Sequence, residues 1–271
     1  MSQSVEIIHL SKPLYLIQMC TLIILRRPGK DWPVLIAANR DEMKSRPWDA
    51  PARHWPDRPE TVAGRDRLAG GTWLGHNDHG VVAAVLNRHG TLGPVTDKRS
   101  RGELVLDALE HVNASDAAEA LSELNTDAYR SFNLVIADNR DAWWISNTEG
   151  AAKVKVAPIP DGISMLTSYD LNDAKSARIA HYRPHFENAE RPDPDENNWQ
   201  AWRDILGNRT LGDANDPTSA MCVDKSSGYG TVSSSLVAIA APEKRTGKES
   251  PDKWLFAPGP ADQSQFTPVN L

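Results

Sequence analysis

Two cysteines occur in the chain, Cys20 and Cys222. The first stands in Met19-Cys20-Thr21, directly ahead of the apolar run Leu22-Ile23-Ile24-Leu25. A polar quartet, Asn39-Arg40-Asp41-Glu42, ends the next apolar run. A cysteine freed as an N-terminal residue carries its own base. Its α-amine has a reference pKa of about 7.7–8.0, so it can take the thiol proton and later return it to a leaving amine. The chemistry this suits is attack on an amide carbonyl. It needs a cation or polar donor beside the sulfur, a carboxylate that orients the ammonium group, and fixed donors for the oxyanion. The quartet offers the first two. The plainer reading is a buried, inert thiol beside a salt-bridged turn.

The quartet reaches Cys20 only if the local elements bring it there. The β-branched apolar runs 20–25 and 34–39 read as strands, and the Pro28-Gly29 turn between them makes an antiparallel hairpin. The start of the first strand then lies beside the end of the second. Residues 44–60, with four prolines, read as irregular structure, and 70–87 as a second hairpin. Residues 100–125 read as two helices with Ser100 and Ser115 as N-caps, followed by a third hairpin over 132–147. A strand over 162–171, helices within 173–211, and strands at 230–240 and 253–260 complete the order. Strands and helices come in blocks, which predicts an α+β fold of antiparallel sheets with helices on their outer faces. No βαβ alternation and no Gly-rich phosphate loop appears.

Composition narrows the function classes. Of the 271 residues, 40% are hydrophobic and 24% charged, an ordinary globular balance. A net charge of -6 with no basic stripe argues against nucleic acid as a partner. No run approaches the about 18 apolar residues of a membrane span, so no integral membrane segment is expected. Two cysteines without a secretion signal favour a reducing, cytoplasmic setting.

Met19-Cys20-Thr21, the box Ala37-Ala38-Asn39-Arg40-Asp41-Glu42, "GRDRLAGGTWLG" at 64–75 and "NLVIAD" at 133–138 resemble the NRDE family, the family of the transport-and-Golgi-organisation protein. The resemblance extends over nearly the whole chain from Met19. It implies that Met19 is the start, that residues 1–18 are an extension outside the fold, and that 19–271 form a single domain. The family is similar in turn to the N-terminal-nucleophile hydrolases of the choloylglycine hydrolase and penicillin V acylase type. That likeness implies an αββα sandwich and cleavage of non-peptide amides. In those enzymes the second strand ends Arg-Asn-x-Asp. By register, Asn39 and Glu42 fall on the Arg and Asp positions; by chemistry, Arg40 and Asp41 do. Strand alternation forbids both assignments at once; the residues expected to orient Cys20 are Arg40 with either Asp41 or Glu42.

The same resemblance puts Asn87, at the end of "GHNDHGVVAAVLN", on the position of an oxyanion donor; its alternative role is turn capping. Ser168, in Thr167-Ser168, replaces a second Asn as a weaker donor. Thr231, in the Tyr-Gly-Thr box, is expected with Ser168 to contact substrate; Val232 after it stands where many relatives have Arg. Arg65 and Asp66 either line the pocket mouth, with Trp73, or form an ion pair in a tight turn.

Two functions therefore compete. One is a cysteine amidohydrolase for a small amide or lipid-like conjugate, needing no cofactor. The other, implied by the family, is a non-enzymatic carrier of haem or of lipid and acyl-CoA, with Cys20 or a nearby His on haem iron. In either case the partner is a small molecule. Metal binding by His76, Asp78 and His79 is outweighed by their reading as solvated turn residues. Cys222 reads as structural, and Trp143, Trp144, Trp199 and Trp202 as core or helix-face residues.

Overall fold

A computed structural model of the chain describes residues 20–91, 95–245 and 251–271. The expectation for residues 1–18 lies outside the described residues. Two antiparallel sheets form the centre. The first, in spatial order, contains β10 (Gly162–Leu166), β1 (Thr21–Arg26), β2 (Val34–Met43), β11 (Tyr229–Ile239), β12 (Lys253–Ala257) and β13 (Thr267–Pro268). The second runs β3 (Trp48–Ala52), β4 (Thr61–Asp66), β5 (Leu74–Asn77), β6 (Val82–Asn87), β7 (Phe132–Ala137), β8 (Ala142–Asn147) and β9 (Lys155–Pro158). Helices α1 (Gly102–Ala108) and α2 (Ala114–Ser122) cover the second sheet. Helices α3 (Ala177–Asn188) and α4 (Gln200–Leu206) cover the first.

Period-2 alternation sorts each strand between two apolar layers. In β1 and β2, Leu22, Ile24, Val34 and Ile36 point between the sheets, where they meet Leu74, Val82, Val135 and Trp144. Ile23, Leu25, Leu35 and Ala37 point outward onto Tyr182 and Phe186 of α3 and onto Trp199 and Trp202. On the far side, Ala83, Leu134 and Ile136 pack on Leu104 and Val105 of α1 and Ala117 of α2. Three buried layers between four structural layers make the αββα arrangement.

The hairpin of β1 and β2 forms as expected, with Thr21 opposite Asn39 and Leu22 opposite Ala38. Three local expectations are corrected. Residues 48–52 are not irregular but pair with β4 as an edge strand, with a break in register between Asp49 and Ala52. Prolines are tolerated there because an edge strand has one unpaired side. Helix α2 is capped by Asn113, whose Oδ1 accepts from the Asp116 amide at 2.8 Å, while Ser115 donates to Asp141 instead. Helix α1 begins one residue later than a Ser100 cap requires, with Arg101 at the boundary, although Ser100 Oγ accepts from the Gly102 amide at 3.3 Å.

Candidate active site

Alternation along β2 decides which of the quartet can meet Cys20. Ala38 packs into the layer between the sheets. Arg40 and Glu42, two and four residues on, share its face and line a cavity of about 450 Å³ together with Cys20. Asn39 and Asp41 take the opposite face. Of the two expected combinations, Arg40 with Asp41 or Arg40 with Glu42, the structure brings the second to the thiol, while Asn39 and Asp41 face away.

Cys20 precedes β1, and its Sγ donates to the Asp41 carbonyl at 3.6 Å. Burial, together with the Asp41 charge, pushes the thiol up to about 11. The guanidinium of Arg40 acts against this shift. Arg40 is itself held from two sides: it stacks 4.3 Å from the Trp73 ring centroid and lies 3.6 Å from the Asp66 carboxylate. Its Nη1 is buried without a hydrogen-bond partner among the described residues. Glu42 Oε1 accepts from the Met43 amide at 2.8 Å, and Arg46 stands 3.8 Å from its Oε2. Asn87, at the end of β6, lines the same cavity, as do Asp66 and Trp73.

The rest of the quartet builds the floor behind the thiol. Asn39 donates to the Leu206 and Met221 carbonyls, each at 2.9 Å, and accepts from Ser234 at 2.7 Å. It joins β2 to α4 and to the segment before β11. Asp41 is wholly buried; it accepts from Arg178 Nη1 at 2.9 Å and from Thr231 Oγ1 at 2.6 Å. Burial raises the Asp41 carboxyl, and these two donors pull it back. Arg178 also donates to Thr21 Oγ1 at 2.5 Å and to the Thr218 carbonyl. One guanidinium on α3 thus ties together the residue after Cys20 and the acid whose carbonyl meets the thiol.

Thr231 is expected as a substrate contact but belongs to this network. A bulge in β11 is the reason. Ser233 pairs with Arg40 and Thr231 with Asp41, so Val232 is the extra residue. One inserted residue reverses the side-chain parity beyond it, and Thr231 turns to the Asp41 face. Ser168 is buried, its Oγ has no partner among the described residues, and it does not line the cavity. It lies two residues beyond Leu166, whose partner Leu22 is two residues beyond Cys20. Arg65 also stays outside, paired with Asp49 at 2.7 Å on the edge strands.

The histidines are corrected in part. His79, on the surface, faces Glu60 at 3.1 Å, and Asp78 pairs with Arg53. His76, however, is no solvated turn residue: it is buried, with Nε2 2.8 Å from Asp252 Oδ2. Among the described residues no group of three metal-holding side chains occurs. Cys222 is a buried free thiol, 3.5 Å from an Asp262 oxygen.

Sequence reasoning missed Arg178 and Arg101. Arg178 sits in a helix of mixed polarity, and nothing local in the chain marks it as buried. Arg101 was read only as part of a helix start, yet it lines the cavity.

No helix among the described residues is long and apolar enough to cross a membrane. Comparison with solved structures shows the fold. An N-acylethanolamine-hydrolyzing acid amidase ortholog from Caenorhabditis elegans superposes with a TM-score of 0.54 at 14% identity, over 80% of this chain and 92% of that one. Penicillin V acylase from Agrobacterium tumefaciens gives 0.55 at 12% identity, over 93% and 86%. A conjugated bile acid hydrolase from Clostridium perfringens gives 0.55 at 13% identity, over 93% and 92%. The fold is that of the N-terminal-nucleophile hydrolases. In sequence, the chain is 37% identical to the mouse transport and Golgi organization 2 homolog over 112 residues, 39% of this chain and 38% of that protein. The human homolog is 38% identical over the same shares, so the aligned stretch spans well under half of either relative. Residues 19–250 match the family model for transport and Golgi organisation 2, and the chain belongs to that family.

Proposed function

We propose that the protein is a cysteine amidohydrolase, with Cys20 as nucleophile once it carries a free α-amine. The observation that carries this reading is the shared wall of one cavity: the Cys20 thiol, a cation (Arg40) and a carboxylate (Glu42) all face it. The amine takes the thiol proton as sulfur bonds to the amide carbonyl carbon. Asn87 donates to the developing oxyanion. The C–N bond then breaks, the ammonium group returns its proton to the leaving nitrogen, and water hydrolyses the thioester. Arg40 stabilises the thiolate, Glu42 orients the ammonium group, and Asp41 with Arg178 positions the strand from behind. The structural neighbours are named as an amidase, an acylase and a hydrolase, which supports amide chemistry on this scaffold.

The charged side chains around Cys20 support a small amide with a polar portion. The apolar recess that continues past Cys20 between Leu22, Ala38, Leu74 and Leu86 holds only about 20 Å³. That is space for about one water-sized group.

A carbonyl-directed thiol reagent tests the reading. Protein purified from its native transcript should carry the adduct at Cys20 and show an intact mass that begins there. Absence of adduct in folded protein that begins at Cys20 would falsify it.

A second reading, a carrier of haem or acyl-CoA on the same scaffold, is favoured by the thiol itself. Pushed up to about 11, it is protonated at neutral pH and is a poor nucleophile without a nearby base. A protonated, unreactive thiol suits a carrier that makes no covalent bond through Cys20, whereas ligation of haem iron by Cys20 requires loss of that proton against the same shift. Saturable binding of haem or acyl-CoA by the chain, abolished in Cys20→Ala for haem, distinguishes this reading.

A further inference from the structure

The wall of the Cys20 cavity is strongly basic although the chain as a whole is acidic. Arg40, Arg46, Lys98, Arg99, Arg101 and Arg130 line it, against two carboxylates, Glu42 and Asp66. Some of this charge is answered locally. Asp66 lies 2.6 Å from Arg46 and 3.6 Å from Arg40, and Arg99 pairs with Glu103 at 2.7 Å. Arg101 and Lys98 have no carboxylate partner among the described residues: Arg101 Nη1 donates to the Thr91 and Ser131 carbonyls at 3.0 and 3.1 Å, and Lys98 to the Asp127 carbonyl. Carbonyl oxygens orient a guanidinium but do not neutralise it. Burial, with Arg130 nearby, holds Arg101 down to about 10. Deeper in, the buried Arg40 Nη1 lacks any hydrogen-bond partner among the described residues.

The position of Arg101 is built in. Gly71 and Gly102 cross so closely that a Cβ on either would come within 2.6–2.7 Å of the other segment's backbone. The Thr72 amide donates to the Gly102 carbonyl at 3.2 Å. A crossing this tight fixes the residue before Gly102 against the cavity wall. Crowding cations around a cleft with low-dielectric walls is costly in its absence of anions and focuses a positive potential into it. Arginine forks match the planar or tetrahedral oxygens of carboxylates and phosphates.

We propose that the substrate carries an oxyanionic group, a carboxylate or a phosphate ester, which Arg101 and Lys98 bind at the cavity mouth while the reacting carbonyl faces Cys20. The proposal rests on the reading of Cys20 as the reacting group. It adds what the substrate must look like: a charged head within one cavity length of the scissile amide.

The test uses two alkylating agents of similar size and opposite charge character, iodoacetate and iodoacetamide, on the full chain, with Cys20 labelling read by peptide mass spectrometry. The ratio of iodoacetate to iodoacetamide rates at Cys20 should exceed the ratio for free glutathione by about tenfold at low ionic strength and collapse in high salt. Arg101→Gln and, separately, the surface variant Lys98→Gln should each lower it. Inorganic phosphate and acetate are then added as competitors: whichever slows iodoacetate labelling names the head group. A ratio equal to that of glutathione, a ratio unmoved by both variants, or protection by neither anion overturns the proposal. Alkylation does not require hydrolysis. Anion preference without any carbonyl-probe adduct would therefore sink the amidohydrolase reading alone, and adduct without anion preference would sink this inference alone.

Discussion

Arg178 Nη1 lies 2.9 Å from Asp41 Oδ2, both side chains fully buried, on the face of β2 opposite the one that carries Arg40. The ion pair is thus one strand thickness away from the thiol, and the Asp41 carbonyl, which accepts from Cys20 Sγ, is the link between them.

Breaking this pair from one side leaves a buried charge. Arg178→Met should cost about 3–5 kcal/mol in stability, because among the described residues Asp41 keeps only its Thr231 donor. The double variant Arg178→Met with Asp41→Asn should lose less than the sum of the two single changes. Chemical denaturation of the four proteins measures the coupling; additive losses would show that the pair does not act as a unit.

The thiol has a distinctive pH dependence. In the full chain, with no free amine at Cys20, alkylation by iodoacetamide should climb about tenfold per pH unit towards a pKa of about 11. In protein that begins at Cys20 the amine supplies a base, and the rate should level off above its reference value of about 8. Matching profiles for the two forms would show that the amine does not serve the thiol.

Arg40→Met should raise the thiol pKa further, since the guanidinium is the charge that opposes the shift. Labelling at pH 8 should fall accordingly. Arg40→Lys keeps the charge but loses the fork that reaches both Trp73 and Asp66, and should fall between the two. An unchanged pH–rate curve in Arg40→Met would remove Arg40 from the site.

At the other end of the sandwich, His76 on β5 joins the second sheet to Asp252, which precedes β12 of the first. His76→Ala should cost about 1–3 kcal/mol, limited because the Ala240 amide and Arg245 still donate to Asp252. Cys20 labelling should not change; a change would mean that the two ends of the sandwich are coupled.

Gly102→Ala would push a methyl to within 2.7 Å of the Thr72 amide nitrogen. Overpacking of this kind costs about 1–3 kcal/mol. Because the clash falls beside Arg101, the iodoacetate preference at Cys20 should drop with it, which two rate measurements on the folded variant would reveal.

Local sequence determined the first half of the site. Cys20, the hairpin and the quartet are neighbours in the chain, and a Pro-Gly turn between two apolar runs suffices to bring them together. The layered α+β arrangement was legible for a similar reason, since alternation marks each strand's two faces and the helices come in blocks. Parity within the quartet was left open by the sequence, because the register of a polar strand end depends on what covers each face. Ala38 against the inter-sheet core and Arg178 beneath Asp41 decided it. The bulge at Val232 likewise turned Thr231 from the expected pocket to the Asp41 face.

What only the tertiary structure decided is the electrostatics. Arg178 reaches Asp41 from 137 residues away, and the basic wall is assembled from β2, the 98–101 segment and Arg130. Apart from Arg40, these cations are unremarked in sequence, where Lys and Arg are scattered through an acidic chain. Only folding packs them around one low-dielectric cleft, and charges interact through distance in space, which a linear spacing does not encode.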